Sequence, residues 1–182
     1  LNLDLVASRL FFDAEAGNFS NADANPWMWL YTYGPMPGMA IGIGSIAMVV
    51  ASFIWQSLRS YRESCAFLAL MLALGPGLIV NGLLKPSWDR PRPCELTEVG
   101  GSEDFLPVLN LHISGETISK SFPSGHASIG FYLLAPIFVL SNKRRRWSML
   151  FLLLGLSLGF SMGLGRVVQG RHFPSDVLWS GA

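Results

Sequence analysis

The segment MAIGIGSIAMVVASFIW, residues 39–55, carries no charged side chain. It approaches the roughly 20 apolar residues that cross a bilayer as a helix. Three more apolar stretches follow, at residues 65–84, 127–140 and 149–168. The second and fourth stretches also approach spanning length, and the third does so only if the residues from Ser124 to Ser128 extend it. A further helix is predicted to start at Phe173-Pro174-Ser175-Asp176, because proline in a first turn beside Ser and Asp is a helix-start signal. The pattern predicts an all-α fold, a polytopic transmembrane helix bundle with about four full spans and a truncated one. Composition agrees. Of 182 residues 51% are hydrophobic and 14% charged, where a soluble domain has about 25% charged residues.

The segment Ser57–Ser64, between the first two spans, is short and basic, and so is the run Lys143-Arg144-Arg145-Arg146 between the third and fourth. Short basic loops stay in the cytoplasm. Other Lys and Arg residues lie on the opposite face, but in a long loop or inside motifs, so the 143–146 run sets the orientation. It reads as a topology anchor, and no nucleic-acid partner is expected. Residues 1–38, the loop 85–124 and the turn 166–176 then lie outside, and every polar motif falls on one face. Residues 1–38 are expected not to span. Leu3, Leu5, Val6, Leu10, Phe11 and Phe12 suit a short interfacial helix. Trp27, Trp29, Tyr31 and Tyr33 suit an aromatic belt at the headgroups, anchoring rather than touching substrate. A loop as long as 85–124 is functional or mobile. Cys65 and Cys94 fall on opposite membrane faces and are expected as free thiols. The chain opens at Leu1 without a signal-peptide pattern and stops at Ala182 in an apolar stretch, which reads as a fragment.

Three polar clusters carry chemistry. They are Lys85 to Pro93, Ser121 to His126, and Gly165 to Asp176. Lys85, Arg92 and Arg166 supply cations, and guanidinium forks match phosphate oxygens. Ser124 and Gly125 precede a helix, where free N–H groups and the helix dipole favour an anion. Gly125 lets backbone approach a ligand closely. His172 precedes Asp176 by four residues, a spacing that puts the carboxylate beside the imidazole. A carboxylate on one ring nitrogen fixes the tautomer and leaves the other free to attack. His126 comes from a different helix and can protonate a leaving oxygen. One histidine would be the nucleophile and the other the general acid. His112 has no partner pattern. Arg90 and Arg171 flank motif residues, as supporting or solvated groups. Asp89, Glu95, Glu98, Glu103 and Asp104 lack ligand spacing, so no metal and no cofactor is expected.

These residues resemble the type 2 phosphatidic acid phosphatases, the lipid phosphate phosphatases that share a fold with vanadium haloperoxidases. The family pattern is Lys, six residues and Arg-Pro; then Pro-Ser-Gly-His; then Ser-Arg, five residues, His, three residues and Asp. Lys85 with Arg92-Pro93, the full Pro123-Ser124-Gly125-His126, and Arg166, His172 and Asp176 match it in order, and Gly165 replaces the family Ser. The resemblance implies that His172 accepts the phosphoryl group, that His126 is the general acid and that Asp176 orients. It implies that Lys85, Arg92, Ser124, Gly125, His126 and Arg166 hold the phosphate.

It further implies a six-helix membrane fold of which this chain holds the second to fifth helices. The whole chain, 1–182, would be one membrane phosphatase domain, with 1–38 interfacial and 85–124 an outer loop. The expected location is a bacterial inner membrane, with the site facing the periplasm or exterior. Candidate substrates are phosphatidate, phosphatidylglycerol phosphate, undecaprenyl diphosphate and lipid A phosphates. The same phosphohistidine would serve a lipid-to-lipid phosphotransferase. A haloperoxidase is disfavoured by the spans, and a transporter or lipid-binding protein by the oriented His172. Nothing in the sequence sets an oligomeric state.

Overall fold

The computed structural model describes residues 3–19, 21–110, 120–140 and 144–182. His112, Lys143 of the basic run and residues 111–119 of the long loop lie outside the described residues. Among the described residues the regular structure is helical, with two isolated bridges, Asp13↔Asn18 and Leu96↔Glu103. The interfacial helix expected near the start is α1 (Leu3–Phe11). Next come α2 (Trp27–Tyr33) and α3 (Met36–Ile54), which form one rod, Trp27–Ile54. The aromatic segment expected at the interface is therefore continuous with the first apolar helix. Pro35 and Pro37 stand at the start of α3, where a missing N–H costs little. The Gly34 N–H still bonds Leu30 O at 2.9 Å, so the aromatic segment continues into the span.

After a 3₁₀ turn at Gln56–Tyr61, α4 (Arg62–Leu72) passes into a π-helical stretch, Ala73–Leu84, and ends in α5 (Lys85–Ser87). Pro76 withholds a backbone donor inside this rod, and Asn81 Nδ2 donates to Pro76 O at 2.6 Å. The third apolar stretch is the shorter helix Gly125–Val139. It consists of α6 (Gly125–Phe131), a 3₁₀ turn at Tyr132–Leu134 and α7 (Pro136–Val139). Then come α8 (Arg145–Val168) and α9 (Pro174–Gly181).

Three helices are long and apolar enough to cross a membrane: Trp27–Ile54, Gln56–Ser87 and Arg145–Val168, with mean hydropathies of 1.9, 2.1 and 1.8. Their outer faces are open. Phe53 and Ile54 are 69% and 70% exposed, and Ile43, Val50 and Leu153 are exposed as well. A continuous apolar surface of this kind is a membrane surface, not a water-facing one. The Gly125–Val139 helix differs, because protein encloses it. Ala127, Phe131, Tyr132, Leu133 and Ala135 are all buried, and α6 packs on both α8 and α9.

Lipid offers no hydrophobic gain for helix association, so close approach of small residues holds such bundles together. Gly155, Gly159 and Gly163 recur every fourth residue on α8. A Cβ on them would strike Leu134, Phe131 and Val177 respectively. The helices alternate in direction. Tyr132 donates to Leu68 O at 2.9 Å, and Tyr31 meets His126 at the other end of the bundle. The ends that carry Tyr31, Lys85, Gly125 and Arg166 therefore gather on one face, with Arg59, Arg62, Arg145 and Arg146 opposite.

Candidate active site

At the end of α8 the chain turns sharply. Gly170 takes φ +64°, with the Phe19 ring packed where a side chain would go. The Arg171 and His172 N–H groups both bond Arg166 O, at 2.9 and 3.3 Å. This turn buries His172, which is 4% exposed. Its Nδ1 lies 2.5 Å from Ser121 O. A carbonyl only accepts, so Nδ1 carries the proton and Nε2 keeps its lone pair. Asp176 Oδ2 stands 3.7 Å from Nδ1. The expected His172–Asp176 proximity is present, but the hydrogen bond that sets the tautomer goes to Ser121.

Asp176 is fully buried and well supplied with donors. Ser121 Oγ donates to Oδ2 at 2.6 Å, the Phe173 N–H to Oδ2 at 2.8 Å, and Arg90 Nη1 to Oδ1. Burial works against ionisation of Asp176, but His172, the Arg90 charge and the Ser121 hydroxyl outweigh it and hold the carboxyl below the usual carboxylate range. Burial likewise pushes the His172 imidazole down. Asp176 resists that shift, while Arg166 and Lys85 add to it.

Next to this pair lies a cluster of cations. The Lys85 ammonium is 3.6 Å from where a Cβ on Gly125 would stand, and Asn81 Oδ1 is 3.0 Å from the same point. A Cβ at 125 would press on the Asn81 amide and stand in van der Waals contact with the ammonium. Ser124 Oγ caps α6 by accepting from the Ala127 N–H at 3.5 Å. Arg166 donates from Nη1 to Gln169 Oε1 at 2.7 Å, and its guanidinium lies 4.9 Å over the Tyr31 ring. Tyr31 in turn stacks on His126, with ring centroids 4.6 Å apart and planes 24° apart.

Lys85, Arg166 and His172 all fall within electrostatic reach of His126, and Arg92 within reach of Lys85 and Arg166. Among the described residues none of Lys85, Arg92 and Arg166 has a carboxylate at ion-pair distance. The Nε atoms of Arg92 and Arg166 are buried without a hydrogen-bond partner there. Buried donors left open around uncompensated positive charge suit a multiply charged oxyanion. No group of three His, Cys, Asp or Glu side chains is arranged to hold a metal among the described residues.

Every sequence-derived site residue therefore lies on the one face. Arg171 is different, being exposed on the rim of a separate cavity of about 390 Å³ with Cys94 and Gln169. Cys65 and Cys94 are free thiols. Sequence reading placed Tyr31 at the headgroups, left Arg90 as a flanking group and gave Asp4 no role. Asp4 had one signal, as an acid four residues before Ser8 in a largely apolar helix. At Gly165, where the family has Ser, Trp27 Cε3 would stand 3.3 Å from an added Cβ, a tight contact.

Residues 64–182 match the family model described as PAP2 superfamily. The chain belongs to the PAP2 superfamily. A lipid A 4'-phosphatase of Francisella tularensis subsp. novicida (strain U112) is 30% identical over 181 residues, covering 99% of this chain and 80% of that protein. A phosphatidylglycerophosphatase B of Bacillus subtilis (strain 168) is 28% identical over 146 residues, 76% of this chain and 62% of that protein. A lipid A 4'-phosphatase of Rhizobium leguminosarum is 27% identical over 194 residues, 97% of this chain and 80% of that protein. No solved structure matches. This PAP2 protein is an enzyme, a hydrolase of phosphate esters.

Proposed function

We propose that this PAP2 enzyme removes phosphate from a membrane lipid through a phosphohistidine at His172, on the periplasmic or outer face. The observation that carries the reading is the His172 Nδ1 contact with Ser121 O. It leaves Nε2 unprotonated beside cations that lack a counter-charge. Burial and the Arg166, His172 and Lys85 charges push His126 down to about 4 before substrate binds, and the negative charge of the bound phosphate offsets those cations so that His126 takes up a proton. Nε2 attacks phosphorus, the ester P–O bond breaks, and His126 gives that proton to the leaving lipid oxygen. His126 then takes a proton from water, the hydroxide attacks phosphorus, and the P–N bond breaks to release inorganic phosphate and free His172. Lys85, Arg92, Arg166 and the first N–H groups of α6 stabilise the equatorial oxygens. Metal is not required, because these cations supply the neutralising charge.

Three arguments support lipid and orientation. The site sits at the end of apolar helices whose outer faces are exposed. The basic residues at the far end favour the cytoplasm. Two of the relatives that align along nearly the whole chain are named lipid A 4'-phosphatases, which puts lipid A phosphates first for testing. The test is phosphate release in detergent by the purified protein from lipid A, phosphatidate, phosphatidylglycerol phosphate and undecaprenyl diphosphate, with His172→Ala alongside. Release abolished in the variant and unaffected by EDTA is the expected result. Transfer of the phosphate to a second lipid would instead assign a phosphotransferase, and activity retained by His172→Ala would remove the phosphohistidine.

A further inference from the structure

Asp4 is 171 positions from Ser175 in sequence, yet it meets the first turn of α9. Asp4 Oδ1 accepts the Ser175 N–H at 3.0 Å, and Oδ2 accepts the Ser175 hydroxyl at 2.6 Å. Arg90 Nη2 donates to the same Oδ2 at 2.8 Å. Arg90 is 1% exposed and bridges outward from Asp176. Its Nη1 reaches Asp176 Oδ1 and, at 2.9 Å, Ser175 Oγ. Its Nε bonds Leu106 O at 2.9 Å, and its guanidinium lies 4.3 Å over the Phe173 ring. Phe11 at the end of α1 packs against the core, while the start of the helix docks through polar side chains. Helix α1 turns Asp4 and Ser8 inward and leaves Leu3 and Leu10 exposed.

Charge counting gives this arrangement a purpose. A single Arg90–Asp176 pair would be neutral, and Asp176 would have little field left for His172. Attack by Nε2 on phosphorus while Nδ1 keeps its proton makes the ring a phosphorylated imidazolium, so positive charge develops on His172 in the transition state. The triad Asp4–Arg90–Asp176 sets two carboxylates against one guanidinium and, being buried, is poorly screened. We infer that Asp4 is a positioning residue that offsets the charge of Arg90, so that Asp176 retains its own charge for His172. The inference rests on the phosphohistidine reading above. The charged groups that bear on His172 are Asp176 from α9, Arg166 from α8, Lys85 from the end of the second span and His126 from α6. All but Asp176 disfavour a positive imidazole, which makes the triad the counterweight.

The test uses the full chain in detergent with a lipid phosphate that the wild type hydrolyses. Asp4→Asn is expected to lower kcat about tenfold with KM within about twofold, the pattern of an interaction made in the transition state. The acid limb of kcat/KM is expected to move to lower pH, because losing negative charge makes His172 harder to protonate. The substrate is the same throughout, so its own ionisation cancels in the comparison. Asp4→Asn with Arg90→Gln restores the excess of one carboxylate and is expected to return the limb toward the wild-type position. An unmoved limb in Asp4→Asn, or a loss confined to the amount of folded enzyme, would overturn the inference. Should Asp4→Asn fail to fold, Ser175→Ala decides, with a smaller shift in the same direction supporting the inference and an unmoved limb overturning it. A wild type inactive on every lipid phosphate would bring down the proposed function itself, and the inference with it.

Discussion

His172 takes its tautomer from a main-chain carbonyl, and that has a consequence for mutagenesis. Ser121→Ala keeps the carbonyl, so Nδ1 stays protonated, but it removes the hydroxyl that donates to Asp176 Oδ2. A hydrogen bond to a charged group contributes about 1.5–3 kcal/mol. We expect kcat/KM to fall by tenfold or somewhat more, with His172 still phosphorylated by substrate. The pH profile follows from burial. His172 lies below the usual imidazole value of about 6.5. It is therefore neutral at pH 7; as pH falls through that lowered value Nε2 gains a proton and an acid limb appears, while loss of the His126 proton sets a limb on the alkaline side. Steady-state rates from pH 4 to 8 should show an acid limb below 6.5, and an acid limb above 6.5 would contradict the assignment. The histidines and Asp176 were legible in the sequence because their spacing is itself the chemical signal. The Ser121 contact was not, since every residue offers a carbonyl and only the fold selects one.

The glycine row of α8 sets how near α6 and α9 can come. Gly163 faces Val177, the neighbour of Asp176. Gly163→Val adds volume where none exists, and overpacking of this kind costs about 1–3 kcal/mol. The thermal midpoint in detergent should drop, and catalysis should fall more than substrate affinity because α9 carries Asp176. The aromatic start of the first span makes a second case. Tyr31 lies between His126 and Arg166, so Tyr31→Phe should keep most activity while Tyr31→Ala loses about tenfold through the lost ring contacts. A simple anchoring role would leave both variants active. Sequence reading placed Tyr31 among headgroup aromatics because Trp27, Trp29, Tyr31 and Tyr33 form an aromatic belt pattern, and Gly34-Pro35 and Pro37 follow it. Proline at the start of a helix permits continuation as well as a break, and only packing distinguishes the two. The apolar stretches themselves were legible because lipid demands uninterrupted hydrophobicity. The third, expected to be short unless Ser124 to Ser128 extended it, is the shorter helix Gly125–Val139.

The bundle as a whole separates its charges, with the candidate site at one end and Arg59, Arg62, Arg145 and Arg146 at the other. In a background with Cys65→Ala and Cys94→Ala, Ser102→Cys is expected to react with a membrane-impermeant maleimide on intact cells. Ser60→Cys should react only after lysis, and the reverse pattern would invert the orientation. The gathering of the short basic turns at the end opposite the candidate site was readable from the sequence. The reach of the first helix into the site was not, because nothing local ties residue 4 to residue 175. That long-range tie also bears on the chain's synthesis. A growing polypeptide inserts its early helices well before residues 170–176 leave the ribosome, so the binding cations Lys85 and Arg92 reach the membrane ahead of His172. On the proposed mechanism a chain not yet made as far as residue 172 lacks its nucleophile, and hydrolysis can begin only when α9 docks against α1.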